Sequence, residues 1–257
     1  MPWDPAQYLK FAAWRLRPAL DLLNRINVAD PSEVYDLGAG TGAATRLLRA
    51  RWPNARITGV DVSGEMLARA AAEFPEIEWQ QADLTAWRPP RPADVIYSNA
   101  ALQWVGDHGR LFPALFSLLV PGGVLAVQMP RNFSAPSHVA AIEAARSGPW
   151  RSRLEPHLRQ APVAEPAFYY DLLAPRAAHL DIWETEYLQV LEGENPVKEW
   201  TKGTWLRPLL DALDEPERSR FEACYGDLVA RAYPRRADGR TLFPFRRLFI
   251  VAMAAEE

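Results

Sequence analysis

The sequence predicts an α/β fold, doubly wound about a mostly parallel seven-stranded sheet, with a helical insertion in its second half. Three observations carry this expectation. Between residues 33 and 129, apolar runs of strand length alternate with stretches of helical spacing; each helix must pack back on the sheet, which forces right-handed crossovers and parallel pairing. The first run, Glu33 to Leu37, ends in the glycine turn Gly38-Ala39-Gly40-Thr41-Gly42. Beyond residue 130 the alternation stops, and only two further segments keep a β-rich pattern.

The elements follow in order. Asp4-Pro5 has the form of a helix start, with Asp4 as cap and Pro5 in the first turn. Tyr8, Phe11, Ala12, Leu16, Leu20 and Leu23 then recur at helical spacing through Asn27. After the glycine turn a helix runs to about Trp52, where Pro53-Asn54 ends it. Arg56 to Asp61 is the second strand, and Ser63 caps a helix that stops near Phe74-Pro75. Ile77 to Gln81 and Ala93 to Ser98 are strands three and four, Asp107 to Leu119 is helical, and Gly123 to Met129 is strand five. Residues 134 to about 176 read as helix and loop, broken by Pro149, Pro156, Pro162 and Pro166. Leu180 to Leu191 is the sixth strand, two or three helices fill 196 to 233, and Phe243 to Met253 is the last strand.

Composition narrows the function classes. With 29 basic against 32 acidic side chains the net charge is 29 − 32 = −3, which argues against a nucleic-acid partner, because phosphate recognition needs a basic face. Only Lys10, Lys198 and Lys202 are lysines; the other 26 cations are arginines. That bias fits anion binding by bidentate guanidinium, and equally a GC-rich codon usage. Cys224 is the single cysteine, so a disulfide framework or a multi-cysteine metal site is excluded. The start of the chain shows no basic-then-apolar leader, and the most apolar stretch, Leu111 to Met129, is cut by Pro121-Gly122-Gly123 into halves too short for a bilayer. These features predict a cytoplasmic protein with no membrane partner.

The glycine turn serves two chemistries. Gly38, Gly40 and Ala43 fit the dinucleotide pattern G-x-G-x-x-A, and Asp61 ends the next strand 23 residues after Gly38, the spacing for a carboxylate on a ribose hydroxyl pair. Taken alone, this leaves nicotinamide and adenosyl cofactors even. Two acids break the tie. Asp36, two residues before Gly38, would repel a pyrophosphate and suits a ligand bearing sulfonium and ammonium groups. Asp83, in Ala82-Asp83-Leu84 beyond strand three, can accept an adenine amine whose ring lies between apolar neighbours such as Val62 and Leu84.

On these residues the chain resembles the class I S-adenosylmethionine-dependent methyltransferases, with their Rossmann-like sheet. The resemblance implies a cofactor set of Tyr8, Asp36, Gly38, Gly40, Gly42, Asp61, Val62, Met66, Asp83, Leu84 and Asn99, and S-adenosylhomocysteine as the spent product. It also implies one methyltransferase domain over 1–257, with a helical lid at 1–30, a cofactor-binding core at 30–130 and substrate-side helical insertions at 131–180 and 193–240. The segment Ser98-Asn99-Ala100-Ala101-Leu102-Gln103-Trp104 lacks the proline pair used on nucleobase amines, which favours a small-molecule acceptor. Three longer stretches are similar to the trans-aconitate 2-methyltransferases: Trp3 to Phe11 with Arg15 and Arg17-Pro18, Tyr169 to Leu173 leading into Asp181 to Tyr187, and Glu199 to Pro208 followed by Leu242 to Phe249. Trp205 departs from that pattern, where a smaller residue is expected. The implied reaction is esterification of one carboxylate of trans-aconitate, with another small carboxylic acid or a malonyl-type thioester as the alternative acceptor.

A carboxylate is ionised at neutral pH, so no acid/base residue is expected. What remains is to position a trianionic polycarboxylate. Asn99 and Trp104 are the positioning candidates; Arg15, Arg17, Trp200, Lys202, Arg207 and Arg246 are the substrate-binding candidates. Arg246 and Arg247 fall on opposite faces of a strand, so at most one reaches a given pocket. Tyr8 and Trp14 read equally as lid or as helix packing, and Trp183 and Trp200 read first as packing. His108, His138, His157 and His179 share no ligand spacing, and no metal site is expected. The oligomeric state is left open, a monomer included.

Overall fold

The structure, a computed structural model, describes residues 12–158 and 161–256, with side chains from residue 16. The described residues form the expected seven-stranded sheet: β1 (Glu33–Leu37), β2 (Arg56–Asp61), β3 (Glu78–Gln81), β4 (Ala93–Asn99), β5 (Leu119–Pro130), β6 (Ala177–Leu191) and β7 (Thr241–Ala254), in the order β3-β2-β1-β4-β5-β7-β6. β1 pairs in parallel with β2 and β4, β2 with β3, and β4 with β5, while β7 runs antiparallel to β5. The helices are α1 (Ala12–Leu23), α2 (Thr45–Arg51), α3 (Gly64–Glu73), α4 (His108–Phe116), α5 (Pro136–Ser147), α6 (Arg151–Leu154), α7 (Pro166–Leu173), α8 (Pro196–Lys202), α9 (Arg207–Asp211) and α10 (Glu217–Ala232).

Boundaries depart from the sequence reading in one instructive place. β5 starts at Leu119 rather than Gly123 and runs through Pro121-Gly122-Gly123. Its pairing with β4 jumps from Ala93↔Leu119 to Val95↔Val124, so the proline and glycines make an irregularity inside a strand, not a turn before one. A Cβ on Gly123 would lie 2.9 Å from the carbonyl oxygens of both Ala93 and Val120, which is why the backbone passes there only as glycine.

The chain divides into two compact units. The sheet unit comprises Arg15–Pro130, Pro162–Thr185 and Arg247–Glu257. Its central strands bury both faces: Val34, Leu37, Val60, Val95, Ile96, Leu125, Ala126 and Val127 have no exposed surface, as parallel strands covered on two sides require. Tyr97 on β4 reaches α1, its hydroxyl donating to the carbonyl of Ala19 at 2.8 Å.

The helical unit comprises Arg131–Ala161 and Glu186–Arg246. Ala140, Ala141, Ala144 and Ala145 line one face of α5, and their small side chains make room for Phe221, Tyr225 and Val229 of α10. Trp150, Trp200 and Phe243 complete this core. Among the described residues, no helix is long and apolar enough to cross a membrane.

Candidate active site

In the sheet unit the site begins where β1 stops. Gly38 and Ala39 both donate to the carbonyl of Val60, at 2.7 and 3.0 Å, and Gly38, Gly40 and Gly42 all take positive φ (+78, +57 and +82°). The tightest position is Gly38: a Cβ there would lie 2.0 Å from Cβ of Ala101. The neighbouring Ala100 has φ 56°, left-handed for a residue with a side chain, a strain of the kind that collects at binding sites.

Two acids bracket the loop. Asp36 is 1% exposed, and its Oδ2 accepts the Thr45 hydroxyl at 2.6 Å. Burial pushes its pKa up to about 7, opposed by the Thr45 hydrogen bond and helped by the negative charge of Asp61. Asp61 is half-buried at the end of β2; Oδ2 accepts Gly40 N–H and Oδ1 accepts Ser63 N–H, each at 2.9 Å. One carboxylate thus ties the glycine loop to the start of α3, where the Ser63 hydroxyl accepts Met66 N–H. Each oxygen keeps a further lone pair for a ligand hydroxyl. Met66 leans toward the loop, its sulfur 3.6 Å from a Cβ built on Gly40.

The outer edge is more open. Asp83 is exposed, and its Oδ1 accepts the backbone N–H and the hydroxyl of Thr85, both at 2.8 Å, which draws its pKa down. Val62 stands 67% exposed, whereas Leu84 is buried. Asn99 closes β4, and its Oδ1 is buried without a hydrogen-bond partner. Such an orphaned acceptor is costly unless a ligand supplies the donor. Trp104 is 55% exposed at the end of a 3-10 turn, Leu102–Trp104.

His108, which sequence reasoning set aside, holds that turn. Its Nε2 lies 2.9 Å from the carbonyl of Leu102 and its Nδ1 2.7 Å from the Tyr169 hydroxyl. Tyr169 accepts Ala164 N–H at 3.1 Å, so its proton goes to Nδ1 and the Nε2–H of the neutral ring goes to Leu102. Burial lowers the His108 pKa accordingly.

The other candidates are distributed differently. Tyr8 lies outside the described residues, as do the side chains of Trp14 and Arg15. Arg17 is exposed on α1. In the helical unit, Trp200 is 3% exposed within the core. Lys202 donates to Glu222 at 2.7 Å with Glu199 at 3.7 Å, and Arg207 pairs with Asp211 at 3.1 Å; both cations already face carboxylates of their own surroundings. Arg246 lies on the wall of a cleft of ≈ 530 Å³ that Arg131 and Arg236 also line. Arg247, one residue on, is 6% exposed and donates to Gln128 Oε1 at 3.1 Å within the sheet unit. Trp205 packs on His138 and Phe133, with ring centroids 4.7 and 5.4 Å away, and burial takes His138 down to about 4. Arg131 and Arg236 of that cleft carry no motif that singles them out in the sequence.

The sheet-unit residues fit a cationic adenosyl ligand: a buried acid whose ionisation a positive group would favour, a second acid with spare acceptor capacity at ribose position, a glycine cradle, and an orphaned oxygen on Asn99. Fold and site together define a class I S-adenosylmethionine-dependent methyltransferase. A methyltransferase-domain profile matches residues 34–123. The chain is 51% identical over 251 residues to the trans-aconitate 2-methyltransferase of Azoarcus sp. (strain BH72), and 46% identical over 252 residues to that of Rhodopseudomonas palustris (strain BisB18), covering 98% of each chain. It belongs to the trans-aconitate 2-methyltransferase family. In fold it is similar to the YcgJ protein of Bacillus subtilis, with TM-score 0.59 at 15% identity over 93% of this chain and 97% of that one.

The ionisation of Asp36 has a measurable consequence. Its folded pKa of about 7 exceeds the ordinary 3.8, so without ligand the folded state holds a proton that the unfolded state has lost, and stability falls as pH rises from about 4 to about 7. A cationic ligand group needs the ionised form. Affinity for S-adenosylhomocysteine, which keeps the ammonium, should therefore rise about tenfold between pH 6 and pH 8. Calorimetry on wild type and Asp36→Asn checks this: the variant's profile should be flat, and a flat wild-type profile would remove Asp36 from the binding step.

Proposed function

We propose that this enzyme esterifies one carboxylate of trans-aconitate to a monomethyl ester, acting in the cytoplasm. The observation that carries the reading is 51% identity over 98% of both chains to a relative of that name. When bound, S-adenosylmethionine supplies an electrophilic methyl group and its sulfur keeps the electrons of the broken bond. Asp36, the Gly38–Gly42 loop, Asp61, Val62, Met66, Asp83, Leu84 and Asn99 would hold it.

The acceptor oxygen is anionic at neutral pH and needs no proton removed. The protein's task is then orientation and exclusion of water, which for well-aligned reactants is worth roughly 7–11 kcal/mol of barrier. Asn99 aligns the reacting groups through its amide, and Trp104 supplies an apolar wall that keeps competing water out. His108 acts through the turn it anchors, as a positioning residue for Trp104. Of the sequence candidates for acid binding, Arg246 has the setting that suits the role best, on the wall of an open cleft.

Rates of methyl ester formation on trans-aconitate, cis-aconitate, citrate and a malonyl thioester test the assignment. Trans-aconitate should be preferred by at least tenfold in kcat/KM, the discrimination that a misplaced carboxylate typically costs. Preference for the malonyl thioester would transfer the assignment to that acid class.

A further inference from the structure

We infer that the amide of Gln128, oriented by Arg247, donates a hydrogen bond to a carboxylate of the acceptor, and that this pair forms the acceptor end of the site within the sheet unit. The inference rests on the reading of the acceptor as a small carboxylic acid and names the side chains that receive it.

Register is the first ground. Asn99 of β4 pairs with Gln128 of β5, and Gln128 with Phe249 of β7. Paired residues share a face of the sheet, and Arg247, two residues before Phe249, shares it too. Asp36 pairs with Tyr97, two residues before Asn99, so the buried acid of the cofactor site belongs to the same face. Farther back α1 covers Tyr97; the face is reached from the strand ends, where Asn99 and Ala100 are half-buried. Neighbouring strands lie about 4.8 Å apart. Asp61 on β2, Asp36 on β1, Asn99 on β4 and Gln128 on β5 follow one another in strand order. Gln128 thus stands one strand beyond the last residue assigned to the cofactor.

The donor set is the second ground. Gln128 is fully buried, and its Oε1 accepts Arg247 Nη1–H at 3.1 Å. A guanidinium only donates, so the amide oxygen faces Arg247 and the amide nitrogen faces away. Among the described residues Gln128 Nε2 has no hydrogen-bond partner, and neither has Asn99 Oδ1. A donor and an acceptor therefore stand on paired residues without bonding each other. Two ligand groups of opposite kind satisfy them: the cofactor's ammonium donates to Asn99, and Gln128 requires an acceptor. A carboxylate oxygen makes the strongest bond of that sort. The guanidinium at the far end of the amide polarises it, which strengthens the Nε2–H as a donor.

The third ground is the setting. Arg247 is 6% exposed, and Phe249, in register with Gln128, is covered by Trp183, stacked with ring centroids 4.7 Å apart and planes 7° from parallel. Beside apolar surface of this kind a hydrogen bond to an anion is stronger than in water. Arg246, one residue earlier, falls on the opposite face of the strand. In the helical unit Asn132 clamps its backbone: Oδ1 accepts Arg246 N–H at 2.7 Å, and Nδ2 donates to the Arg246 carbonyl at 2.9 Å. The alternation of one strand separates the two arginines.

The test uses Gln128→Glu, which keeps the shape and the bond to Arg247 but turns the free donor into an anionic acceptor. KM for trans-aconitate should rise at least about 100-fold, because a charged hydrogen bond is lost and a like charge faces the acid. Calorimetric affinity for trans-aconitate on enzyme loaded with S-adenosylhomocysteine should fall by the same factor, while S-adenosylhomocysteine itself binds within threefold of wild type. Gln128→Met, which removes the donor alone, should raise KM about tenfold. Arg247→Met should raise it as well, but by no more than about twofold once residue 128 is methionine, because Arg247 is a positioning residue that acts through the amide. An undiminished effect in that background would overturn the positioning role. Gln128→Glu decides the matter even where a methionine variant is unstable, since it preserves the buried pair with Arg247. Unchanged KM and unchanged affinity for the acid in Gln128→Glu would overturn the inference, as would an equal loss of S-adenosylhomocysteine affinity. A wild type that esterifies a different carboxylic acid overturns the acceptor alone, and the same variant assayed on that acid then decides the role of Gln128 by the same criterion.

Discussion

Gly38→Ala should abolish binding of S-adenosylhomocysteine in calorimetry and lower stability by about 3 kcal/mol or more, a fall of about 5–10 °C in Tm for a chain of this size. Two independent costs add. A φ of +78° is unfavourable for any side chain, by about 1–2 kcal/mol. The new methyl would also lie 2.0 Å from Cβ of Ala101, and Ala101 cannot retreat easily, because Ala100 beside it is already held left-handed by its N–H bond to the Gln128 carbonyl. Gly40→Ala is the control: its nearest neighbour is the flexible Met66 sulfur at 3.6 Å, so only the backbone cost remains. If Gly38→Ala bound the ligand within threefold of wild type, the loop could not be the close-approach surface described above.

Asp61→Ala should weaken S-adenosylhomocysteine at least about 100-fold while kcat at saturating cofactor stays within a few-fold. The carboxylate currently accepts the N–H groups of Gly40 and Ser63 and has acceptor capacity left for two ribose hydroxyls. Removing charged hydrogen bonds of this kind costs about 1.5–3 kcal/mol each, and two of them exceed the 2.8 kcal/mol that a hundredfold represents. Asp61→Asn should fall between, because its amide offers one acceptor oxygen and turns an N–H toward an existing N–H donor. Equal losses in kcat and in affinity would instead make Asp61 part of the transfer step.

The meeting of Asp61 with the glycine turn was legible because crossover geometry fixes their spacing: a strand of this length, a glycine turn and a second strand leave Asp61 few places to be. The parallel strands were legible for the same reason. The path of β5 through Pro121-Gly122-Gly123 was not, since that depends on a pairing partner, Ala93, far off in the chain. His108 looked inert in sequence because its partners, Leu102 and Tyr169, are joined to it only by folding. Arg236 carried no local mark that distinguishes it from the other arginines; only the cleft brings it beside Arg131 and Arg246. Lys202 stood out by its rarity, and sequence gave no sign that the helical unit sets it beside Glu199 and Glu222.

The amide of Asn132 grasps residue 246 by its main chain alone. Any amino acid but proline could stand at 246 and be seated just as firmly, so the guanidinium is an exchangeable tool in a fixed handle. A lineage, or an engineer, can change the tool by one codon without renegotiating the architecture beneath it. The side chain on that wall is thereby free to drift far faster than the fold that seats it.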